Sequence, residues 1–453
     1  MSSLVFDSKI YSSAWVDDDF RAIFDEPEMV ADWLEILSVL AETQAHFDLI
    51  PKAAAIAIAE TCRAIEVDED FLDEVGAGFK ASGHSTQGLI RAIFRRCPEG
   101  AGEWFFYGTT VQDLTDTWMS RAILKAHVIF QRRMDNLLSI LLSLADRHKN
   151  TTMAGRTHGQ QGLPITFGFK VANWAGEVVR HSERLAEIRP RLTYGQLSGG
   201  VGSMASLGPL AFEIQNMFLT TLTLEPAPVS WTSSRDILAE WSHLLVLICG
   251  TADRIGHEVY NLQRSEIGEV REGFIDGTVG SITMPHKRNP EISEHLGTLS
   301  RIVRHNAALI SEGLVHDHER DGRSWKAEWN AVPQATMAAG KAMSMLEVLV
   351  QYLEVDPNRM LANLDITKGF VLSEPLMLAL AAKVGRKTAH EIIYEMSLKA
   401  EDLGVSFKEA VLGTRDITIH LPNLEKEGFF DYAQYTGQCA AMVERFLNAK
   451  GRK

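Results

Sequence analysis

Cysteine and proline are the scarce residues of this 453-residue chain. Its four cysteines, Cys62, Cys97, Cys249 and Cys439, are scattered without a C-x-x-C pair. That excludes a zinc ribbon and a dithiol redox motif, and nothing suggests a disulfide framework. Cys249 follows the apolar run Leu244–Ile248, which predicts a buried structural thiol. No window approaches the ~18 uninterrupted apolar residues of a membrane span. The N-terminus, Met1 to Asp7, has no basic region ahead of an apolar stretch, so no signal peptide is read and a cytoplasmic location is expected. Basic residues are the minority, 45 Lys+Arg against 59 Asp+Glu for a net charge of −14, which disfavours nucleic-acid and membrane partners. A Walker A sequence is missing. Gly199–Gly–Val–Gly202 lacks the G-x-G-x-x-G order, so no dinucleotide site is proposed. His316 and His318 lack an H-E-x-x-H or carboxylate spacing. The expectation is therefore no metal and no cofactor.

What is present is an ordinary globular composition, 45% hydrophobic and 23% charged, which excludes a mostly disordered chain. The length gives a prior of roughly three domains. The 14 prolines leave long gaps. Thr109 to Ala154 contains neither Gly nor Pro, and Val229 to Met284 and Glu291 to Val332 contain no Pro. These windows are rich in good helix formers. A helix of about 35 residues is a rod of roughly 50 Å, so the gaps predict a long helical bundle. Trp33, Ile36, Leu37, Leu40, Ala41 and Gln44 follow helical spacing. Leu114, Trp118, Ala122, Lys125 and Ile129 do so less cleanly. Leu137 to Leu144 is apolar nearly all round, which predicts burial on most sides, with neighbouring subunits among the partners. Strand signals are confined to short pieces such as Ile417–Ile419. The fold class read is all-α, with domains near 1–108 (N-terminal helical), 109–365 (central long-helix bundle) and 366–453 (C-terminal helical).

Three segments carry chemistry. Gly280–Ser–Ile–Thr–Met–Pro–His–Lys–Arg–Asn–Pro290, entered through Gly273 and Gly277, combines a hydroxyl (Ser281), a cation (Lys287) and an amide (Asn289) between prolines. Glycines that permit movement and prolines that set geometry suit a closing catalytic lid; a basic surface turn is the bland alternative. Met153–Ala–Gly–Arg–Thr–His–Gly–Gln–Gln–Gly162 presents His158 in a loop between helices. Imidazole exchanges protons near neutrality, although a lone loop histidine is more often structural. Tyr107–Gly–Thr–Thr–Val–Gln–Asp–Leu–Thr–Asp–Thr117 opens the first long helix. Its hydroxyls suit a carboxylate or phosphate, or simply cap the helix.

Three such segments in this order resemble the fumarase/aspartase superfamily, and 280–290 is similar to its G-S-x-x-M-P-x-K-x-N-P signature. The resemblance runs from about residue 15 to 445 and leans to the adenylosuccinate lyase and 3-carboxy-cis,cis-muconate cycloisomerase branches. It implies proton abstraction beside a carboxylate and expulsion of a leaving group from the neighbouring carbon, without a cofactor. Ser281 then matches the general base, and Lys287 and Asn289 match the holders of the aci-carboxylate. His158 matches the histidine that binds substrate or protonates the leaving group, and Glu294 the carboxylate that orients it. Thr109, Thr110, Thr157, Gln196, Ser198, His84 and Arg235 fill substrate-binding positions. The resemblance also implies a homotetramer with a twenty-helix core, in which each active site draws on three subunits, and a small anionic dicarboxylate-type substrate.

Departures from the branches narrow the substrate. Ile10–Tyr11 stands where adenylosuccinate lyases carry an Arg-Tyr pair, Phe106 where they carry a histidine, and Glu319–Arg–Asp–Gly–Arg–Ser–Trp–Lys326 where they carry E-R-D-x-S-H-S-S. These changes speak against a purine nucleotide. Trp325–Lys–Ala–Glu–Trp329, Arg235–Asp236 and Arg180–His–Ser–Glu–Arg184 match the cycloisomerases, whereas His158 does not. The reading that fits is a C–N lyase that releases fumarate from an N-substituted aspartate. A muconate-type lactonising enzyme is the alternative, and an inactive scaffold is disfavoured because Ser281, Lys287, Asn289, His158 and Glu294 are all present.

Overall fold

The computed structural model describes residues 4–273, 283–284 and 286–450. Some 70% of the chain is helical. Five long helices stand out: Val111–Arg147, Phe167–Leu192, Asp236–Gln263, Glu291–Glu312 and Gly322–Gln351. They are called here the first to fifth rods. The first, at 37 residues, spans about 55 Å. Among the described residues no helix is long and apolar enough to cross a membrane.

The proline gaps located the rods but not their ends. The window Glu291–Val332 holds two helices, because the fourth rod stops at Glu312 and a turn beginning at Gly313 precedes the fifth. Conversely, the fifth rod contains Pro333 and the second contains Pro190 near its C-terminus. Proline costs a helix one hydrogen bond and a clash, and side-by-side packing in a long helix outweighs that cost here. Ile417–Ile419 is not a strand: Arg415–Thr418 is a short helix. Where the sequence reads a loop around His158, the structure has the longest strand pair among the described residues. β1 (Thr152–Thr157) and β2 (Gln160–Thr166) form an antiparallel hairpin between the first two rods.

The chain divides into two compact units, each built from three stretches. One comprises 1–134, 181–252 and 296–345; the other comprises 135–180, 253–295 and 346–453. Every one of these divisions falls inside a long helix.

In the first unit, rods one, two, three and five pack side by side. The Phe130 ring meets Trp241 with centroids 5.7 Å apart, and Trp241 Nε1 donates to Thr336 Oγ1 at 3.1 Å. His127 Nε2 donates to the Leu185 carbonyl at 2.7 Å. Phe20 wedges against Phe130 and over Gly340, where a Cβ would lie 2.2 Å from its ring. The Glu26–His46 helix buries the predicted Ile36, Leu37, Leu40, Ala41 and Gln44.

In the second unit, Phe407, Leu376, Leu380 and Leu364 gather the C-terminal helices around Ala154 of β1. Leu137, Leu141 and Leu144 are buried, whereas Leu138, Ile140 and Leu142 are half-buried. Cys249 is fully buried, as expected.

Candidate functional site

In the first unit the site is built on the start of the first rod. The two threonines ahead of it do not cap the helix with their hydroxyls. Instead Asp113, within the first turn, reaches back. Its Oδ2 accepts Thr110 N at 3.0 Å and Thr109 Oγ1 at 3.1 Å. Its other oxygen accepts Ser198 N at 2.7 Å, and Gly199 N donates to Oδ2 at 3.1 Å. One carboxylate thus joins two segments singled out in the sequence. Burial pushes the Asp113 pKa up, opposed by these four hydrogen bonds. Gln196 is tied through its backbone to Thr117, while its Nε2 is buried without a partner. Ser198 Oγ accepts Ser230 Oγ at 3.0 Å.

With Asp113 satisfying the helix start, Thr110 Oγ1 is left to accept Arg320 Nη1 at 3.3 Å. Arg320 Nε donates to Gln112 Oε1 at 2.7 Å, and its guanidinium lies 5.6 Å from the Trp325 ring centroid. Its Nη2 is buried and unpartnered, and no described carboxylate pairs with it. A half-buried cation without a counter-ion suits an anionic ligand. Arg320 was not among the residues expected to bind substrate. Its only sequence signal was the Glu319–Arg–Asp321 stretch, and nothing in that stretch points to Thr110, 210 residues away.

Arg235 is placed otherwise. It is 2% exposed, and Asp116, Glu328 and the Thr232 carbonyl take all of its N–H donors. Burial opposes its charge, but the two carboxylates outweigh burial and hold the proton more firmly than usual. Gln112 Nε2 donates to Asp116 Oδ2 at 2.9 Å and to the Thr232 carbonyl at 2.8 Å. The Arg235 cluster therefore stands behind Gln112, which holds Arg320. His84 is exposed in the turn after Gly83, and only its backbone is hydrogen-bonded among the described residues.

In the second unit, His158 and Gly159 are the two central residues of the β1–β2 hairpin, between the paired Thr157 and Gln160. Their φ angles are 54° and 76°. Positive φ at both positions marks a type I′ turn, which matches the twist of a hairpin and asks for glycine second. Histidine tolerates the left-handed region better than most residues. Thr157 and His158 are both exposed.

Ser281 lies outside the described residues, as do Gly277, Gly280 and Pro285. The flanking chain is well anchored. The Glu272 carboxylate accepts Ser293 N at 2.7 Å and Ile292 N at 3.1 Å, capping the fourth rod. Gln263 Oε1 accepts Glu272 N at 2.8 Å, and its Nε2 donates to the Arg288 carbonyl at 3.2 Å. Lys287, Asn289 and Glu294 line one cavity of about 710 Å³ together with Arg264, Arg271 and Arg288. Four cations thus face one carboxylate, and Arg288 is drawn off by Glu354 at 3.7 Å. Asn289 Nδ2 donates to Glu291 Oε1 at 3.2 Å. Within the single chain, His158 makes no hydrogen bond to Glu294 or to any other described residue. Among the described residues no group of three His, Cys, Asp or Glu could hold a metal. His316 Nε2 is occupied in accepting Asp321 N.

Such an arrangement can hold a dianion against cations and an amide. A family model described as Lyase matches residues 14–304, and one described as Adenylosuccinate lyase C-terminus matches 369–446. N-acetyl-S-(2-succino)cysteine lyase of Dickeya dadantii (strain 3937) is 36% identical over 447 residues, 99% of this chain and 98% of that protein. Adenylosuccinate lyase of Pyrococcus horikoshii is 34% identical, covering 95% of each chain. The crystal structure of 3-carboxy-cis,cis-muconate lactonizing enzyme from Pseudomonas putida superposes with a TM-score of 0.91 at 27% identity, covering 98% of this chain and 99% of that one.

Proposed function

This chain belongs to the fumarase/aspartase superfamily of lyases, and we propose that it eliminates a heteroatom-linked group from a 2-substituted succinate and releases fumarate. The observation that carries this reading is the cavity where Lys287 and Asn289 stand among arginines, because a succinyl group brings two carboxylates. The sequence favoured an amine as leaving group. The 36% relative named for an S-(2-succino) compound widens that to an amine or a thiol.

Ser281 removes the proton from the carbon beside one carboxylate. The electron pair first enters that carboxylate, and Lys287 and Asn289 hold the extra charge better than the ground state. Collapse of the aci-carboxylate forms the double bond and breaks the bond to nitrogen or sulfur. His158, oriented by Glu294, gives its proton to the departing atom. The superfamily needs no cofactor for this.

In our reading the active site is completed in a homotetramer, where hairpin, rod start and signature loop from three chains meet. Val128 and Leu247, 63% and 48% exposed on rods of the isolated chain, support such an assembly.

The test is a fumarate assay by ultraviolet absorbance with S-(2-succino) thioethers, N-substituted aspartates and carboxymuconate. Fumarate from either of the first two supports the proposal. Loss of the muconate chromophore without fumarate favours the lactonising alternative, to which the Trp325–Trp329 stretch is similar. Ser281→Ala is expected to lose nearly all turnover while keeping its oligomeric state; wild-type-like activity removes Ser281 as base. His158→Asn is expected to slow poor leaving groups more than good ones, and equal losses would leave it a binding role only.

A further inference from the structure

Arg156 stands two residues before His158, on β1 of the hairpin. Its guanidinium grips the Glu269 carboxylate with both forks, Nη1 to Oε2 at 2.9 Å and Nη2 to Oε1 at 2.5 Å. Glu269 is fully buried. Asn363 Nδ2 donates a third bond to its Oε1 at 2.8 Å, and Gln161, the cross-strand partner of Arg156, donates from Nε2 to the Asn363 carbonyl at 2.7 Å. The Glu269 backbone is pinned as well: its N–H donates to the Leu262 carbonyl and its own carbonyl accepts Asp356 N. It also leads directly into Val270–Arg271, the stem of the signature loop.

The tip itself has little else to hold it. Beyond Arg156 and Gln161 the hairpin has one further pair, Thr157 with Gln160, and the register shifts between Ala154 and Arg156. The His158 imidazole is exposed and makes no described contact. A ladder two pairs long and interrupted behind by an irregularity is a weak lever. A bidentate ion pair onto a buried carboxylate is a stiff one, since its planar fork sets angle as well as distance.

We propose that Arg156, through Glu269, is the positioning residue that aims the His158 imidazole. The proposal rests on His158 being the acid of the reaction described above. A misplacement of about 1 Å in a catalytic group costs on the order of 100-fold in rate. Arg156 touches no reacting atom, so its contribution passes entirely through the hairpin tip.

The experiment uses the full-length enzyme as Arg156→Met, Arg156→Lys, His158→Asn and the Arg156→Met/His158→Asn double variant. Steady-state kinetics on an S-(2-succino) thioether is combined with hydrogen exchange of residues 152–166. For Arg156→Met, kcat is expected to fall about 10- to 100-fold with KM within about 2-fold. Arg156→Lys, which keeps the charge but not the fork, should recover part of that loss. In the His158→Asn background, Arg156→Met should cost less than about 2-fold, because the group it aims is already gone. Exchange at the hairpin should rise about 10-fold while the rods stay protected.

Equal losses of kcat in the two backgrounds, or unchanged hairpin exchange in Arg156→Met, would overturn the proposal. If Arg156→Met does not fold, Glu269→Gln, which keeps the shape but only one acceptor oxygen for the guanidinium, answers the same exchange question. A His158→Asn enzyme as fast as wild type would instead remove the acid reading. The exchange arm would still decide whether the ion pair holds the tip.

Discussion

Asp113 accepts the backbone N–H of Ser198 at 2.7 Å, although the two are 85 residues apart in the chain. The same carboxylate organises Thr109 and Thr110, so the substrate-binding hydroxyls expected from two segments share one anchor. Replacing Asp113 with Ala leaves the N–H groups of Thr110, Ser198 and Gly199 without their acceptor. Buried donors stranded in this way cost about 1–3 kcal/mol each when they stay dry. Asp113→Ala should therefore lose about 2–4 kcal/mol in urea unfolding. KM should rise, because Thr110 and Ser198 lose their registration. Asp113→Asn should lose roughly half as much stability.

Arg235 separates two buried carboxylates, Asp116 and Glu328. Arg235→Met would leave them facing each other, and breaking a buried pair this way costs about 3–5 kcal/mol. In the wild type, burial already pushes the Glu328 pKa up, against the pull of Arg235. Without the guanidinium nothing opposes the upward push of burial on Glu328, so the variant's deficit is largest at neutral pH, where that carboxylate is charged. It should shrink as pH falls toward 5 and a proton neutralises Glu328. A thermal-melting series from pH 7.5 to 5 checks this; a pH-independent deficit would mean that the charges are not what the arginine compensates.

Gly159 occupies φ 76° in the hairpin turn that displays His158. No atom stands within 4 Å of where a Cβ would go, so Gly159→Ala meets backbone strain and no clash. The expected cost is about 1–2 kcal/mol, felt at the turn. Turnover should fall several-fold with little change in KM. A matching rise in hydrogen exchange confined to 152–166 would place the loss in the hairpin.

His127 lies buried between the first two rods and donates from Nε2 to Leu185. Burial lowers its pKa, the Leu185 hydrogen bond resists, and Arg189 adds to the lowering. Above the ordinary histidine value of about 6.5 the ring is neutral whether folded or unfolded, and the full stability is present. As pH falls below that value the unfolded chain takes up its proton first, so stability is lost on the way down to the folded value. His148 and His316 are lowered by burial in the same sense. Tm should therefore drop between pH 7 and 5. His127→Gln should flatten the slope by up to about 1.4 kcal/mol per pH unit at its steepest.

Part of the candidate site is legible as local strings. Lys287, Asn289 and Glu294 share a cavity because they lie within eight residues on one loop and helix start, and short spacing survives folding. His158 was legible as a residue but not as a hairpin tip. The strands beside it are rich in Gly and Gln, which carry no alternating apolar signal. Arg235 read as a ligand-facing cation and is instead enclosed, because the carboxylates that enclose it come from Asp116 and Glu328, 119 and 93 residues away. Arg320 went unread for the same reason.

Helical periodicity and the absence of breakers are properties of neighbours in the chain, so the amino-acid order alone determined that long rods form and which short strings are candidates for the chemistry. Which side chains meet is set by how the rods lie against one another. Packing alone decided that Asp113 reaches Ser198, that Arg235 is consumed by its carboxylates, and that Arg320 keeps a buried N–H without a partner. Ridges and grooves of side chains choose those contacts at separations of 85 to 210 residues, over which a local pattern carries no information.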